Sequence, residues 1–505
     1  MMWRGFILTG HKMNYCDYLY NAPKEWYNNP ALIDAGTDTS FTYGELADAV
    51  RNLAYLLTER GFRPHEVIST HLYNSAEAVI AHLAIQHIGC TTCLLDPLTT
   101  AEGLRYYLED NRSVALLSHL DVASVKAFVP DNVQIIRADE VKTMYQTPAN
   151  RIEKLFDCAP DAVTSIFYTS GTTSRPKGVL LANRNYRAHV AIFERQCYQY
   201  DPDDVLLCFV PFSHGYGSKS IFLPCLHAGA TMVILRSFHP LNVIKAIESY
   251  KVTHIFGVPA HYQQLLRREE FYPALRKIKC AFCAAAPLTL ETAHAWKQKI
   301  DIHLDEGYGL IETCTGVAFR RNRMPDRMGN LGSYPADLVE IEICDDDDTL
   351  LPANQRGEIV VRGASVMQGY LNQPEETAKA IRDGWFHTGD MGYKTEQNEL
   401  IMTGRIKDVI NIAGIKVAPF EIEAVLNEHP DIHESAVIGV DNEMYGEVVK
   451  AFVKPKNGKA RDERDLIVYL QKKLMNFQVP KEIVFLDEFP RNNMGKIDKK
   501  ALRAL

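Results

Sequence analysis

Short apolar runs alternate with helical patterns along the first two thirds of the chain. The runs include EVISTHLY (66–73), TTCLLDP (91–97), DVLLCFVPF (204–212) and CAFCAAAPL (280–288), and each has the length of a buried strand. Between such runs lie amphipathic stretches, for example YGELADAVRNLAYLLTERG (43–61), whose apolar residues recur at helical spacing. This alternation predicts βαβ units and mostly parallel sheets, which bind ligands at the carboxyl ends of their strands.

Between residues 340 and 403 the pattern changes to short strands separated by Gly, Asp and Asn turns. This part of the chain predicts a small barrel or an antiparallel subdomain. The four aspartates at 345–348 suggest a calcium site, but the alternating DxDxDG spacing of a calcium loop is absent. An exposed hairpin tip is therefore the favoured interpretation of this acidic run.

After GRIKDVI (404–410) the pattern changes again, to a helix (419–429), two strands (434–440 and 447–455), a charged helix (461–475), a further strand (482–486) and a basic tail. This is a compact α+β unit of about 100 residues, which is large enough to fold alone. We therefore predict an N-terminal domain of residues 1–405 and a C-terminal domain of residues 406–505.

Composition restricts the class of protein. The chain has 505 residues, of which 46% are hydrophobic and 23% charged, and a net charge of −8. These values are typical of a globular protein of several domains, and they argue against a general binder of nucleic acid or anionic membranes. No apolar run approaches the length of about 20 residues that spans a bilayer. We expect a cytoplasmic protein without a membrane span.

The eleven cysteines include two CxxC pairs, Cys90/Cys93 and Cys280/Cys283, which together could imitate a zinc site of four thiolates. Both pairs lie in strand-like runs, where side chains alternate between faces, and no turn-forming Gly follows either pair. Buried free thiols are the favoured interpretation.

Candidate chemistry begins at YTSGTTSRPKGV (168–179), which contains six hydroxyl side chains, two glycines and a lysine. Hydroxyls, glycine N–H groups and an ammonium together can surround a polyphosphate. The alternative is a surface turn rich in Ser and Thr. Apolar runs on both sides, at 162–167 and 178–183, favour a phosphate-binding loop between core elements.

Six motifs in this order resemble those of the adenylate-forming superfamily, which contains acyl-CoA synthetases, peptide-synthetase adenylation domains and luciferases. They are YTSGTTSRPKGV (168–179), PFSHGYGS (211–218), EGYGLIET (306–313), GWFHTGD (384–390), GRIKDVINIAGIKVAPFEIE (404–423) and PRNNMGKIDKKAL (490–502). The resemblance implies an α/β fold with a large N-terminal domain of parallel-rich sheets flanked by helices, a small β-barrel-like subdomain, and a small mobile α+β C-terminal domain. It also implies two half-reactions, formation of an acyl-AMP from ATP and attack on it by a thiol.

The resemblance further implies a set of site residues. For the ATP phosphates they are Thr169, Ser170, Gly171, Thr172, Thr173 and Lys177. For the rest of the nucleotide they are Ala285, Ala286, Pro287, Glu306, Gly307, Tyr308, Asp390, Arg405 and Lys496. For the acyl pocket they are His214, Tyr216, Gly257, Ala284, Ala286, Gly309 and Thr313. The implied Mg²⁺ ligands are Thr169 and Glu312, the catalytic residues are these two with Lys496 and His214, the hinge is Lys407, and Gly414 lines the pantetheine tunnel.

Four of these residues also have a purely structural interpretation. Lys177 and Lys496 could be solvated charges, Tyr308 a core residue, and Asp390 a turn or capping residue. One position departs from the family pattern, because Ile311 stands where a threonine hydroxyl usually meets the α-phosphate. Thr313 could partly compensate for that missing donor.

The resulting hypothesis is an ATP-dependent acid:CoA ligase of the AMP-forming type, with ATP, Mg²⁺ and CoA. Loading of a carrier protein, a degenerate nucleotide-binding regulator and light emission are the alternatives. Arg320, Arg321 and Arg323 could recognise a second carboxylate on the acid, although a solvated basic loop is the favoured interpretation. The stretch Phe212-Ser213-His214 offers no carboxylate for an ammonium, so we expect an acid without an α-amino group.

Overall fold

The structure is a computed structural model, and it describes residues 14–147, 152–169, 176–413, 415–442, 444–456, 462–491 and 496–505. The first part of the chain forms two mainly parallel sheets with interspersed helices. The described α-helices up to residue 300 are Asp17–Tyr20, Tyr43–Glu59, Ala76–His87, Ala101–Asp110, Val122–Val125, Ala138–Gln146, Asn183–Gln196, Leu223–Ala228, Pro240–Tyr250, Pro259–Leu265, Tyr272–Leu275 and Leu290–Ile300. None of the helices in the described ranges is long and apolar enough to cross a membrane.

The first sheet has seven strands. In spatial order they are Gly369–Tyr370, Lys177–Ala182, Val163–Thr169, Thr91–Leu94, Val67–His71, Ala115–Ser118 and Gln134–Arg137. The last five run parallel to one another, and the first two pair antiparallel. The predicted phosphate-binding loop therefore connects two neighbouring strands, one ending at Thr169 and the next beginning at Lys177.

The second sheet has eight strands. In spatial order they are Thr315–Arg320, Leu304–Leu310, Cys280–Ala284, His254–Gly257, Val205–Cys208, Thr231–Ile234, Pro30–Asp34 and Thr39–Thr42. The six central strands are parallel, and each end strand is antiparallel to its neighbour. The strand ending at Ala284 leads directly into the predicted nucleotide segment 285–287, and the strand Leu304–Leu310 contains the predicted nucleotide residues 306–308.

An antiparallel sheet lies where the sequence predicts a barrel or an antiparallel subdomain. Its strands are Asn330–Gly332, Leu400–Arg405, Trp385–Lys394, Gly357–Gly363 and Val339–Cys344, and Ile381–Arg382 pairs beside Trp385–Lys394. The helix of this part is Pro374–Ala380. The run at 345–348 is a mostly exposed turn in which Asp345 Oδ1 accepts the N–H groups of Asp347 and Thr349, so the predicted hairpin tip is confirmed.

The C-terminal part contains a smaller sheet with its own apolar core. The strands are Ile415–Val417, Ile410–Ile412, Gly446–Pro455, Ile432–Asn442 and Glu482–Phe485, and the α-helices are Pro419–Asn427, Glu463–Gln471 and Lys499–Leu502. A core cluster that includes Ile422, Val437 and Leu466 is separate from the main core. The single turn Ile406–Asp408 connects this unit to the preceding strand. The boundary between residues 405 and 406 stays a prediction.

All eleven cysteines are buried and free, as predicted. Among the described residues, the one group of side chains with the spacing of a metal site is Cys344, Glu358 and His387, and it contains neither CxxC pair. Arg382 lies 2.9 Å from His387 Nδ1, so its guanidinium already provides a positive charge beside these three side chains.

Candidate active site

The residues on either side of the phosphate-binding loop lie opposite one another. Thr169 and Lys177 are paired across the two strands, whereas Ser170, Gly171, Thr172 and Thr173 lie outside the described residues. Lys177 Nζ is 2.6 Å from Glu376 Oε2 and 4.8 Å from the centroid of the Tyr370 ring. A polyphosphate at this loop would therefore compete with Glu376 for the ammonium.

Tyr370 connects this loop to the predicted magnesium ligand Glu312. Its hydroxyl donates to Glu312 Oε1 at 3.1 Å, and the backbone carbonyl of Glu312 accepts the N–H of Met367 at 2.7 Å. Desolvation raises the pKa of Glu312, and Tyr370 opposes that effect by stabilising the carboxylate. A series of contacts thus connects Thr169 to Glu312 through Lys177 and Tyr370. A hydroxyl and a carboxylate are hard oxygen ligands that fit Mg²⁺.

Sequence reasoning missed both Tyr370 and Glu376. Tyr370 belongs to the two-residue strand Gly369–Tyr370, which pairs with Val179 and Leu180 beside the phosphate-binding loop. No motif in the sequence marks it, and its role depends on a pairing between residues almost 200 positions apart.

The predicted adenine and ribose residues lie together. Tyr308 is buried, and its hydroxyl donates to Asp390 Oδ2 at 2.8 Å. Arg405 Nε lies 3.0 Å from Asp390 Oδ1, and the two residues are paired across neighbouring strands. Burial raises the pKa of Asp390, whereas Arg405 and Tyr308 counteract this and favour the carboxylate. Asp390 is thus a buried and oriented acceptor rather than a simple turn residue.

The segment Ala285–Pro287 follows the end of the strand Cys280–Ala284, and Ala285 has a φ of +70°. A non-glycine residue in this left-handed region is uncommon and marks a constrained backbone. Nearby, the carboxylate of Glu306 accepts the N–H of Leu288 at 3.2 Å and pairs with Arg320 at 3.0 Å. The carboxylate of Glu306 is therefore occupied by contacts within the protein, and only the backbone of this residue can contact a nucleotide.

Lys496 comes from the C-terminal part and joins the nucleotide residues. Its pKa is lowered to about 8, chiefly by burial and then by Arg405 and Lys407, while Asp390 acts in the opposite direction. Lys496 also contributes to lowering the pKa of His214 to about 3, after the larger effect of burial. Because such effects fall with distance, the ammonium lies in the neighbourhood of both the Asp390–Arg405 pair and His214.

The predicted acyl-pocket residues are held by backbone contacts. The Tyr216 hydroxyl donates to the carbonyls of Gly257 at 3.2 Å and Phe282 at 3.1 Å, which ties the ring to two central strands. His214 Nδ1 is 3.2 Å from the N–H of Tyr216. A Cβ on Gly309 would lie 1.7 Å from the carbonyl oxygen of Thr315, so this position accepts only glycine. Ala284 and Ala286 are partly buried.

Thr313 does not replace the hydroxyl that Ile311 lacks. It is fully buried, and its Oγ1 lies 2.8 Å from the carbonyl oxygen of Thr315 and 3.0 Å from the N–H of Leu310. The Thr313 hydroxyl is therefore used in hydrogen bonds within its own turn and is not directed at a phosphate. The expectation that Thr313 partly compensates for Ile311 is not supported by this geometry.

The three arginines after the adenine motif are all paired. Arg320 is fully buried against Glu306, Arg321 lies 3.6 Å from Asp305, and Arg323 pairs with Glu399. The interpretation of a solvated basic loop is wrong for Arg320, because a charge without exposure to water requires a protein partner. These pairs leave none of the three arginines without a counter-charge.

The predicted hinge residue Lys407 lies in the turn Ile406–Asp408 and is exposed. Desolvation and the neighbouring Arg405 lower its pKa, and Asp408 and Asp390 act in the opposite direction. Lys407 is thus close to the nucleotide residues that it was predicted to move against. Gly414, the predicted tunnel residue, lies outside the described residues.

Comparison with known proteins gives matches over nearly the whole chain. The family model described as AMP-binding enzyme matches residues 19–371, and that of the AMP-binding enzyme C-terminal domain matches residues 421–496. 4-Coumarate–CoA ligase 1 of Solanum tuberosum is 31% identical over 96% of this chain and 93% of its own length. ATP-bound MatB from Rhodopseudomonas palustris has a TM-score of 0.90 at 28% identity, covering 97% of this chain and 99% of that one. The o-succinylbenzoate CoA synthetase MenE from Bacillus subtilis, with its acyl-adenylate intermediate, has a TM-score of 0.84 at 26% identity, covering 97% and 98%.

Proposed function

The chain belongs to the family of AMP-binding enzymes, and we propose that it is an ATP-dependent acid:CoA ligase of the AMP-forming type. In the first step a carboxylate oxygen attacks the α-phosphorus of ATP, and pyrophosphate leaves. In the second step the sulfur of CoA attacks the acyl carbon, the thiol proton is released, and AMP leaves. The 4-coumarate–CoA ligases and the CoA synthetase MenE among its relatives support CoA as the acceptor.

One observation carries the proposal, namely the position of Lys496. Lys496, from the C-terminal part, is close enough to Asp390 and His214 for its charge to lower the pKa of both, and Arg405 in turn lowers the pKa of Lys496. Adenylation brings two anions together, so a cation at their meeting point stabilises the charge that develops in the transition state. The described arrangement therefore fits the first half-reaction.

The remaining roles follow from the contacts of the site. Lys177 would exchange its partner Glu376 for the β- and γ-phosphates, and Tyr308 would present its ring to adenine while its hydroxyl orients Asp390 for the ribose. Thr169 and Glu312 would hold Mg²⁺, which neutralises phosphate charge when bound. Tyr370 positions Glu312 for that task through the bond to Oε1.

The second half-reaction requires CoA to reach the acyl-AMP. We assign Lys407 to the hinge and Gly414 to the pantetheine tunnel on the strength of the family motif alone. The buried free cysteines support a reducing compartment such as the cytoplasm.

The proposal is tested by pyrophosphate release on mixing the enzyme with ATP, Mg²⁺ and a panel of carboxylic acids. Lys496→Ala should abolish this release, while conversion of supplied acyl-AMP and CoA to acyl-CoA should remain within a fewfold of wild type. Lys500→Ala is the matched control, because Lys500 is an exposed lysine four residues further along the same tail. Equal loss of both half-reactions in Lys496→Ala contradicts its assigned role.

The acceptor is tested by comparing free CoA with a phosphopantetheinylated carrier protein at equal concentration. Turnover with CoA is the expected result. Turnover with the carrier alone would assign the protein to the carrier-loading class instead.

A further inference from the structure

Lys219 is a fully buried lysine whose Nζ has no hydrogen-bond partner among the described residues. It lies on the π-helical segment Tyr216–Phe222, directly after His214 and Gly215 of the predicted acyl-pocket motif. Buried ammonium groups are expensive unless they are paired, and native proteins rarely leave them without a partner. The position of this group therefore requires a physical explanation.

The surroundings of the ammonium are partly apolar and partly hydrogen-bonding. Nζ lies 4.1 Å from the centroid of the Phe167 ring. A Cβ on Gly215 would be 2.9 Å from Nζ and 3.0 Å from Thr315 Cγ2, so the ammonium and Thr315 both lie against that glycine. Thr315 Oγ1 accepts from Ser220 at 2.9 Å and lies 3.2 Å from His189 Nδ1. Nζ is thus next to a small polar cluster beside the acyl pocket.

The described part of the chain offers this ammonium little compensating charge. Within it, Cys314 and then Glu312 are the groups that favour its protonated form. Burial raises the pKa of the Cys314 thiol to about 11, so that group is neutral near pH 7. Glu312 accepts a hydrogen bond from Tyr370 and is the predicted magnesium ligand, so its carboxylate does not pair directly with Lys219. By contrast, the buried Arg320 has a full ion pair with Glu306.

The charges of two lysines act on His214. After the larger effect of burial, both Lys496 and Lys219 lower its pKa. The Lys219 ammonium lies against Gly215, which directly follows His214 in the predicted acyl-pocket motif. An acid that meets Lys496 with its reacting carboxylate and lies beside His214 can therefore extend toward Lys219.

We propose that Lys219 binds a second carboxylate on the acyl substrate, and that the preferred acid of this enzyme is a dicarboxylic acid. The bound carboxylate would provide the counter-charge for the ammonium, and the cluster of Thr315, Ser220 and His189 would supply hydrogen bonds beside it. This inference rests on the proposed acid:CoA ligase function and adds the class of its substrate.

The test compares matched pairs of acids in the pyrophosphate assay, such as succinate with butyrate, glutarate with valerate, and terephthalate with 4-methylbenzoate. The wild type should prefer the dicarboxylic member of at least one pair by about 100-fold in kcat/KM, the scale expected for a charged bond in a buried site. Lys219→Met should lose about 100-fold with that diacid and keep or gain activity with its monocarboxylic partner. Lys219→Gln, which keeps a donor without the charge, should fall between the two.

Lys245→Met is the control, because it removes one positive charge from an exposed position on the helix Pro240–Tyr250. Its selectivity should equal that of the wild type. Preference of the wild type for the monocarboxylic members overturns the inference, and so does an equal loss of both members in Lys219→Met.

A second readout separates this inference from the proposed function. The preferred diacid should raise the melting temperature of the wild type and of Lys245→Met, and it should not raise that of Lys219→Met. If no acid supports pyrophosphate release, the proposed function fails, and this thermal shift alone decides the binding site. Absence of the shift for every diacid in the wild type overturns the inference.

Discussion

Replacing Lys219 by methionine should make the protein more stable when no substrate is present. Methionine fills a similar volume with a flexible unbranched chain and has no charge to desolvate. Burial lowers the pKa of Lys219 from 10.5 to about 8, and Cys314 and Glu312 oppose this only in part. The direction of the shift means that the protonated lysine lowers the free energy of unfolding of the protein.

The size of the effect follows from the shift itself. A pKa lowered from 10.5 to about 8 corresponds to about 3 kcal/mol, at about 1.4 kcal/mol for each pH unit. The variant also loses the contact between the ammonium and the Phe167 ring, which is worth about 1 kcal/mol. We therefore expect Lys219→Met to raise the free energy of unfolding by about 1–3 kcal/mol at pH 7.

The sign has a specific dependence on pH. Below pH 8 both the folded and the unfolded protein carry the protonated lysine, so the full cost is present. Between pH 8 and 10.5 the folded protein loses this proton first, and the cost disappears as the pH rises. His82, His189 and His214 face the same group but have pKa values of about 3, so they stay neutral throughout this range. The advantage of the variant should thus be largest below pH 8 and small near pH 10.

The assay is urea unfolding of the full chain without ligands, at pH 7 and at pH 9.5, for wild type, Lys219→Met and Lys245→Met. The exposed control should stay within about 0.5 kcal/mol of wild type. A Lys219→Met protein that is less stable than wild type at pH 7 would refute the reasoning. A stability gain that is the same at both pH values would refute the assignment of that gain to the buried charge.

Two further predictions concern the nucleotide side of the site. Because the pKa of Lys496 is about 8, kcat/KM for ATP in acyl-AMP formation should fall as the pH rises through 8. Lys496→Arg should shift that fall to higher pH. A flat profile between pH 7 and 9 in the wild type would contradict the role of the ammonium. Glu376→Gln should release Lys177 for the phosphates and lower KM for ATP about two- to fivefold with little change in kcat, as expected for a weak, partly exposed ion pair. A raised KM in steady-state assays of that variant would show that Glu376 positions Lys177 rather than competing for it.

Much of the fold could be predicted because its signals are local. The helix Tyr43–Glu59 begins at Thr42, whose side chain accepts the N–H of Glu45 while the Glu45 carboxylate accepts the N–H of Thr42. The apolar periodicity lies within the predicted segment 43–61, and the capping box begins at the residue directly before it. The runs at 91–97 and 280–288 likewise became the buried strands Thr91–Leu94 and Cys280–Ala284, since apolar runs of this length suit a sheet covered on both faces.

The parts of the site that escaped prediction depend on contacts between distant segments. The bond between Tyr370 and Glu312 joins residues 58 positions apart, and the ion pair of Lys177 with Glu376 joins residues 199 apart. The hydroxyl of Thr313 could serve a phosphate in the sequence, but the turn that contains it uses the hydroxyl internally. Spacing along the chain cannot reveal such competition, because it depends on which atoms the fold brings together.

Arg320 and Lys219 show why burial of a charge has two different meanings in this protein. Arg320 is fully buried, but Glu306 and the carbonyls of Arg323 and Asn330 satisfy its guanidinium, so it completes the structure of the adenine strand. Lys219 is equally buried, and among the described residues its Nζ lies over the Phe167 ring and has no hydrogen-bond partner. A buried charge that lowers the stability of the fold, and makes no hydrogen bond in exchange, is expected where function requires it. The difference in partners therefore assigns Arg320 to the fold and Lys219 to the substrate.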